Sequence, residues 1–177
     1  MAYEGDHLSE YGDVVVVSLN HRLNILGYLD LSAYGEKYYN SANVGNADMV
    51  AALHWIQDNI AGFGGDPGNV TLFGQSGGGM KVYSLMNTPA AEGLFHKGII
   101  QSGVIEEGKK EAEDDGTAIV EALLTELKLE SVEDLETIPY YFLAEAYNKV
   151  SPKLQEKGLY VEESREQIHG MPVIRAE

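Results

Sequence analysis

The sequence has no cysteine, few basic residues and no long apolar run. Without thiols, the chain can form neither disulfides, thiolate nucleophiles nor cysteine-ligated metal sites. Only 12 Lys and Arg side chains stand against 28 Asp and Glu, which gives a net charge of −16. That field opposes binding to nucleic acid or to an anionic membrane, and we expect neither partner. No apolar run approaches the roughly 20 residues that a membrane-spanning helix needs.

The 177 residues, of which 44% are apolar, are enough to bury a hydrophobic core. The N-terminal stretch Met1–Asp6 is acidic and has no apolar segment, so no signal peptide is visible and a cytoplasmic location is favoured. The acidic stretch Glu111–Asp115 lacks the spaced ligands and glycine of a calcium loop, which favours a solvated linker. We expect no metal and no cofactor.

The composition changes near Gly103. Residues 1–103 hold 16 of the 20 glycines, whereas residues 104–177 hold 4 glycines and 18 of the 28 acidic side chains. Glycine-rich chain with short apolar runs is typical of strands and tight turns, and glycine-poor chain rich in Glu, Lys and Leu is typical of helices. We therefore predict a sheet-containing core over residues 1–103 and an acidic helical region with a tail over residues 104–177.

In the first region, apolar runs alternate with helical patterns. The unbroken β-branched run Val14–Leu19 predicts a strand buried on both faces. Further elements are predicted in this order: a helix from Asn46 or Asp48 to Gly62, a strand at Val70–Phe73, a helix at Met80–Met86 and a strand at Gly98–Gln101. Strands that alternate with helices indicate an α/β fold with a parallel sheet.

The second region carries helical signals. One apolar stripe at helical spacing consists of Ile119, Leu123, Leu124 and Leu127. The segment Ser131–Asp134 is a variant of the capping box. Pro139 and Pro152 are predicted to open two short helices, with Gly158 as a stop. From Val161 to Glu177 the pattern weakens, and we expect a poorly ordered tail.

The main chemical signal is the segment Gly74–Gly78, with sequence Gly-Gln-Ser-Gly-Gly, between a predicted strand and a predicted helix. A sharp turn there exposes the Ser76 hydroxyl, and small flanking residues prevent clashes. The free N–H groups of the following helix point toward the same place, so the N–H of Gly77 can stabilise an oxyanion. Two other interpretations remain: a phosphate-binding loop, which the acidic charge disfavours, and a purely structural turn.

The sequence around this motif resembles the type-B carboxylesterases, the family of para-nitrobenzyl esterases and cholinesterases. The densest match runs without a break from Phe63 to Gly78. Shorter matches lie around it, at Asn20–Leu23, Gly27–Leu29, Ala51–Ile56, Pro89–Ala91, Gly93–Phe95 and Gln101–Gly103. The match covers Asp13 to Gly103 closely and the helical region only loosely.

The resemblance implies an α/β-hydrolase fold with a partial parallel sheet and a nucleophile elbow, followed by a helical region. It implies hydrolysis of a small carboxylic ester through an acyl-enzyme, with Ser76 as the catalytic nucleophile and Gly77 as an oxyanion donor. The chain departs from the family pattern at Gln75 and Gly77, where the family usually has Glu and Ala. Both changes are tolerable, because the residue after the serine contributes only its backbone N–H.

Other parts of the family's machinery are missing from the sequence. No His-Gly-Gly stretch precedes the valine run, and the family's acid and base lie further downstream than this chain reaches, so we expect an internal piece of a longer enzyme. In the order Ser, acid, His, the only in-chain base after Ser76 other than the nearby His96 is His169. Acids before it include Glu145, Glu162, Glu163 and Glu166. The sequence does not show a complete triad.

Two functions follow from these observations. The first is a truncated serine carboxylesterase. The alternative is a non-catalytic α/β-hydrolase remnant that acts as a binding or assembly module. Because a sheet of three strands has two edges with unpaired N–H and C=O groups, we expect self-association or binding to complementary segments of the parent protein. We also expect little or no esterase activity from the isolated chain.

Overall fold

The computed structural model describes residues 5–103 and 116–156. Eight helices and strands longer than single turns follow one another within these ranges: α1 (Asp6–Gly12), α2 (Asn24–Tyr28), α3 (Val44–Asn59), β1 (Thr71–Gln75), α4 (Gly77–Met86), β2 (Lys97–Gln101), α5 (Thr117–Leu127) and α6 (Tyr140–Gln155). Their contacts divide the chain into two compact units, one with residues 5–22 and 45–103 and another with residues 23–44 and 116–156. The sequence division at residue 103 remains a proposal.

The first unit is built around a small parallel sheet. β1 pairs with β2 in register from Thr71 beside Lys97 to Gln75 beside Gln101. Helix α4 connects the two strands and packs against both of them. Parallel strands need such a crossover connection, which is usually a helix. The predicted parallel sheet is thus confirmed at the level of two strands.

Helix α3 contributes Met49, Leu53 and Ile56 to the core of this unit. Its predicted apolar stripe is buried, with Leu53 fully inaccessible, and packs with Leu85, Ala91 and Leu94. The helix begins at Val44 and ends at Asn59, and a single 3₁₀ turn, Ile60–Phe63, extends it. The prediction that Gly62 stops the helix is wrong, because Gly64 adopts the left-handed φ of 84° and donates its N–H to the last carbonyls.

The predicted strand Val14–Leu19 is absent. These residues carry no strand pairing with any described segment, and Val14, Val15, Val17 and Leu19 are 38–46% exposed. The β-branched run has the composition of a buried strand, but a strand also needs a hydrogen-bonded neighbour on at least one edge. Within the described residues the sheet consists of β1 and β2 alone, and neither of their free edges pairs with this run.

The second unit is helical. Its core contains Tyr28 of α2, Val120 and Leu123 of α5, and Tyr147 of α6, of which Val120 and Leu123 are fully buried. Only half of the predicted capping-box variant forms. The Asp134 carboxylate accepts hydrogen bonds of 3.0 Å from both the N–H and the hydroxyl of Ser131, but the Asp134 N–H donates to the Ser131 backbone carbonyl and not to its hydroxyl. The predicted helical nature of this region is confirmed by α5 and α6, which cover residues 117–127 and 140–155.

One helix replaces two predicted ones near the end of this unit. Pro139 directly precedes α6 as expected, but Pro152 lies inside the last turn of α6 and does not open a new helix. Pro152 has no N–H to donate to the carbonyl of Asn148, four residues earlier. Asn148 is exposed, so water can replace this donor. Gly158 and the predicted tail, residues 161–177, lie outside the described residues.

Candidate active site

Ser76 occupies the single residue between β1 and α4. Its backbone has φ 54° and ψ −120°, a conformation that residues with a side chain rarely adopt. Two hydrogen bonds hold it there: the Ser76 N–H donates to the carbonyl of Gln101 at 2.8 Å, and the Ser76 carbonyl accepts from the Met80 N–H at 3.1 Å. The strained residue is therefore tied to the end of β2 on one side and to the first turn of α4 on the other.

The glycine at position 74 is required by the sharpness of this turn. A Cβ atom on Gly74 would lie 2.4 Å from both the carbonyl carbon and the oxygen of Gly78. Backbone atoms cannot rotate out of the way as a side chain can, so an alanine at position 74 must displace either the strand or the helix. The chain can turn from strand to helix within one residue only because this side chain is missing.

Gly77 differs from Gly74 in this respect. A Cβ atom on Gly77 would meet no atom within 4 Å. The alanine that type-B carboxylesterases usually have at this position would therefore fit. The first N–H groups of an α-helix have no carbonyl partner within the helix, and the partial positive charge of the helix dipole is greatest there. Helix α4 therefore places N–H donors directly after Ser76.

No described acid or base is hydrogen-bonded to the hydroxyl of the half-buried Ser76 within residues 5–103 and 116–156. His96 accepts a hydrogen bond of 3.1 Å from the N–H of Val70 through Nδ1, and His7 and His54 are exposed. Glu145, one of the predicted acids, forms an ion pair of 3.1 Å with Lys149 in the helical unit. His169, Glu162, Glu163 and Glu166 lie outside the described residues.

An ion pair that no sequence pattern predicts lies in the same unit as Ser76. Asp48 accepts three hydrogen bonds from Arg22: from the backbone N–H at 2.9 Å, from Nε at 2.8 Å and from Nη2 at 2.6 Å. The hydrogen bonds from the guanidinium hold the pKa of Asp48 below its ordinary value, against a smaller opposing effect of burial. Asp48 thus does not cap α3 but ties Arg22 to that helix.

A second strained residue lies next to Ser76. Ser102 follows β2 with φ 55°, and the strand register that pairs Gln75 with Gln101 sets Ser102 alongside Ser76. Both parallel strands therefore end in a serine with left-handed backbone and then a glycine, Gly77 or Gly103. Nothing in the periodicity of the sequence signals this, because it depends on the register between strands 26 residues apart.

Comparisons with known proteins agree with the resemblance. The sequence profile of the carboxylesterase family matches residues 1–175. The para-nitrobenzyl esterase of Bacillus subtilis is 45% identical over 140 residues, which are 75% of this chain and 28% of that protein. An esterase of the anaerobe Clostridium hathewayi, described as able to hydrolyse aliphatic aromatic polyesters, has a TM-score of 0.83 at 59% identity. The match covers 90% of this chain and 32% of that esterase.

A carboxylesterase of Geobacillus stearothermophilus is similar at a TM-score of 0.76 and 37% identity, over 90% of this chain and 33% of that one. The chain therefore belongs to the carboxylesterase family, whose solved members have the α/β-hydrolase fold. It spans about a third of the length of these relatives, from 28% to 33%.

No group of His, Asp and Glu side chains among the described residues could hold a metal ion. No helix there is both long and apolar enough to cross a membrane.

Proposed function

We propose that this chain carries the nucleophile segment of a serine carboxylesterase and that Ser76 is the nucleophile. The observation that carries the proposal is the strained backbone of Ser76 at a one-residue turn from β1 to α4. This is the geometry of a nucleophile elbow, which holds a serine hydroxyl clear of the sheet at the start of a helix. A non-glycine residue held in such a conformation costs about 1–3 kcal/mol, and such residues cluster at functional sites.

The reaction follows from the groups around this turn. The Ser76 oxygen attacks the ester carbonyl carbon while its proton passes to a base, and negative charge collects on the carbonyl oxygen. The N–H of Gly77 stabilises that oxyanion, because the helix leaves this donor without a partner. The intermediate then expels the alcohol, which takes the proton, and leaves an acyl group on Ser76 that water hydrolyses. His169 is the in-chain candidate for the base.

The substrate class is a small-molecule carboxylic ester. The relative from Clostridium hathewayi is described as hydrolysing aliphatic aromatic polyesters, and at 59% identity it is a reason to test such polymers as well. The para-nitrobenzyl esterase similarity suggests an aromatic ester as the first chromogenic substrate.

The proposal is tested by grafting this chain into a complete relative, which supplies the remaining two thirds of the enzyme. The residues of this chain that match the Bacillus subtilis para-nitrobenzyl esterase replace their counterparts in that enzyme, and turnover of p-nitrophenyl acetate is measured. We expect Ser76→Ala to abolish turnover by a factor of about 10⁴ or more. Ser84→Ala, in the same helix α4, is the matched control and leaves turnover unchanged. Full activity of the Ser76→Ala graft would refute the proposal.

A non-catalytic remnant is the second candidate. It is favoured by the lack of any described His, Asp or Glu hydrogen-bonded to the Ser76 hydroxyl within residues 5–103 and 116–156. The same grafting experiment separates the two, because the host enzyme supplies an acid and a base. A truncated esterase then gives an active graft, whereas a remnant whose serine turn no longer works gives a folded but inactive one.

We further propose that the isolated chain self-associates or binds complementary segments of the parent protein. The exposed fractions of the large apolar side chains support this: Phe73 is 42% exposed, Ile99 51% and Ile100 38%, all within the two-stranded sheet. Sheet edges with apolar neighbours favour association. Light scattering after size exclusion at several dilutions should detect dimers or larger species, whereas a stable monomer that binds no hydrophobic dye would contradict the proposal.

A further inference from the structure

Gly103 lies in close contact with the first turn of α4. A Cβ atom on Gly103 would come within 2.6 Å of the carbonyl carbon of Gly79, within 2.7 Å of its Cα and within 2.7 Å of the backbone nitrogen of Met80. All three are backbone atoms of a helix, so none can move by rotating a side chain. Gly103 is buried, and the space that its side chain would need is already filled by the helix.

The contact is mutual. A Cβ atom on Gly79 would lie 3.0 Å from the carbonyl oxygen of Gly74, 3.1 Å from Cγ2 of Ile100 and 3.2 Å from the Cα of Gly103. Neither Gly79 nor Gly103 has a φ in the left-handed range, so backbone conformation does not demand glycine at either position. Glycine within a helix costs about 0.5–1 kcal/mol relative to alanine. The close approach of the two backbones therefore explains why both positions are glycine.

This contact reaches Ser76 through one hydrogen bond. The Met80 nitrogen that a side chain at position 103 would strike is the donor to the Ser76 carbonyl, at 3.1 Å. The Ser76 N–H is in turn bonded to Gln101, two residues before Gly103. The end of β2 therefore touches the serine turn twice, once by a hydrogen bond and once by the contact between the two glycines.

We propose that Gly103 is a positioning residue for Ser76: its missing side chain lets the first turn of α4 rest on the end of β2 and so fixes the serine turn. This inference rests on the proposed function of Ser76 and adds a residue outside the Gly74–Gly78 motif. An alanine at position 103 must move the helix start by about 0.8 Å, from 2.6 Å to an ordinary contact near 3.4 Å. Displacements near 1 Å can cost an enzyme about 100-fold in rate.

Amide hydrogen exchange in the 177-residue chain tests the positioning role without requiring activity. We expect Gly103→Ala to speed exchange at the amides of Ser76 and Met80 by at least about tenfold relative to the amide of Leu85 at the other end of α4. Gly98→Ala, within β2, is the matched control. Its Cβ would meet only side-chain atoms of Val82 and Met86, at 3.1 Å and 3.5 Å, so it should leave the ratio within about twofold.

Two results would overturn the proposal. One is unchanged exchange at Ser76 and Met80 in Gly103→Ala, and the other is equal acceleration along the whole of α4, which would mean general destabilisation. If Gly103→Ala does not fold, the same exchange measurement is made on Gly79→Ala, whose closest contacts of 3.0–3.2 Å require a smaller shift of the same turn. Unchanged exchange at Ser76 and Met80 in that variant would overturn the proposal. Failure of the proposed function would appear separately, as an active Ser76→Ala graft.

Discussion

Asp48→Asn should destabilise the chain in a way that depends on pH. The carboxylate of Asp48 accepts three hydrogen bonds from Arg22, and the pair is bidentate through Nε and Nη2. An asparagine keeps one carbonyl oxygen but loses the charge and the second acceptor. The perturbation therefore removes the ionic part of the contact while it leaves the size of the side chain nearly unchanged.

The expected loss is about 1–2 kcal/mol at pH 7. Exposed ion pairs contribute about 0.2–1 kcal/mol, and the Arg22 side chain is 55% exposed, so solvent screening limits the effect. The Asp48 side chain is only 23% exposed and also bonds a backbone N–H, which places this pair above the range for ordinary surface pairs. High salt should shrink the loss, because it screens the charges.

The pH dependence has a definite sign. The pKa of Asp48 is lowered in the folded chain from its ordinary value of 3.8. Its contribution to the free energy of unfolding is fully present above that ordinary value and is lost as the pH falls through the lowered one. The difference in the free energy of unfolding between the wild-type chain and Asp48→Asn should therefore be constant from pH 5 to 7. It should shrink as the pH falls below about 4.

Urea unfolding followed by circular dichroism at pH 7, 5, 4 and 3 measures this difference. Asp58→Asn is the matched control, since Asp58 is an exposed carboxylate near the other end of the same helix α3. A loss of the same size in Asp58→Asn would refute the reasoning, as would a difference between wild type and Asp48→Asn that is independent of pH.

Four further substitutions test the packing. Leu123→Ala should lower the free energy of unfolding by about 2–5 kcal/mol, because Leu123 is fully buried. A loss below about 1 kcal/mol would contradict that burial. Gly74→Ala should cost at least about 1–3 kcal/mol through its overlap with Gly78, whereas Gly62→Ala, with open space around its Cβ, should be neutral or stabilising in the same urea titration. Gly77→Ala should stabilise α4 by about 0.5–1 kcal/mol, and a lower melting temperature would contradict the open space found there.

The turn at Ser76 could be predicted from the sequence because its determinants are local. An apolar strand, a glycine at position 74 and a helix with an apolar face follow one another within 16 residues, and each signal acts on its own neighbours. The helices α3 and α5 were predictable for the same reason, since the apolar stripes that include Leu53 and Leu123 carry the helical period.

Features that depend on distant residues could not be predicted. The valine run from Val14 has the composition of a buried strand, but its pairing depends on a neighbouring strand, which no described segment provides. Pro152 was misplaced because the apolar face of α6, which continues to Leu154, outweighs the preference of proline for a first turn. The contact between Gly79 and Gly103 exists only once β2 lies beside β1.

The most direct test of the account is the chemical identity of the reactive serine. The grafted para-nitrobenzyl esterase is treated with a fluorophosphonate, which phosphonylates only an activated serine, and the adduct is located by mass spectrometry of peptides. We predict a single adduct on Ser76, none in Ser76→Ala, and loss of p-nitrophenyl acetate turnover in step with labelling. An adduct on another serine in an active graft, or an active graft whose Ser76 stays unmodified, would contradict the assignment of Ser76 as the nucleophile.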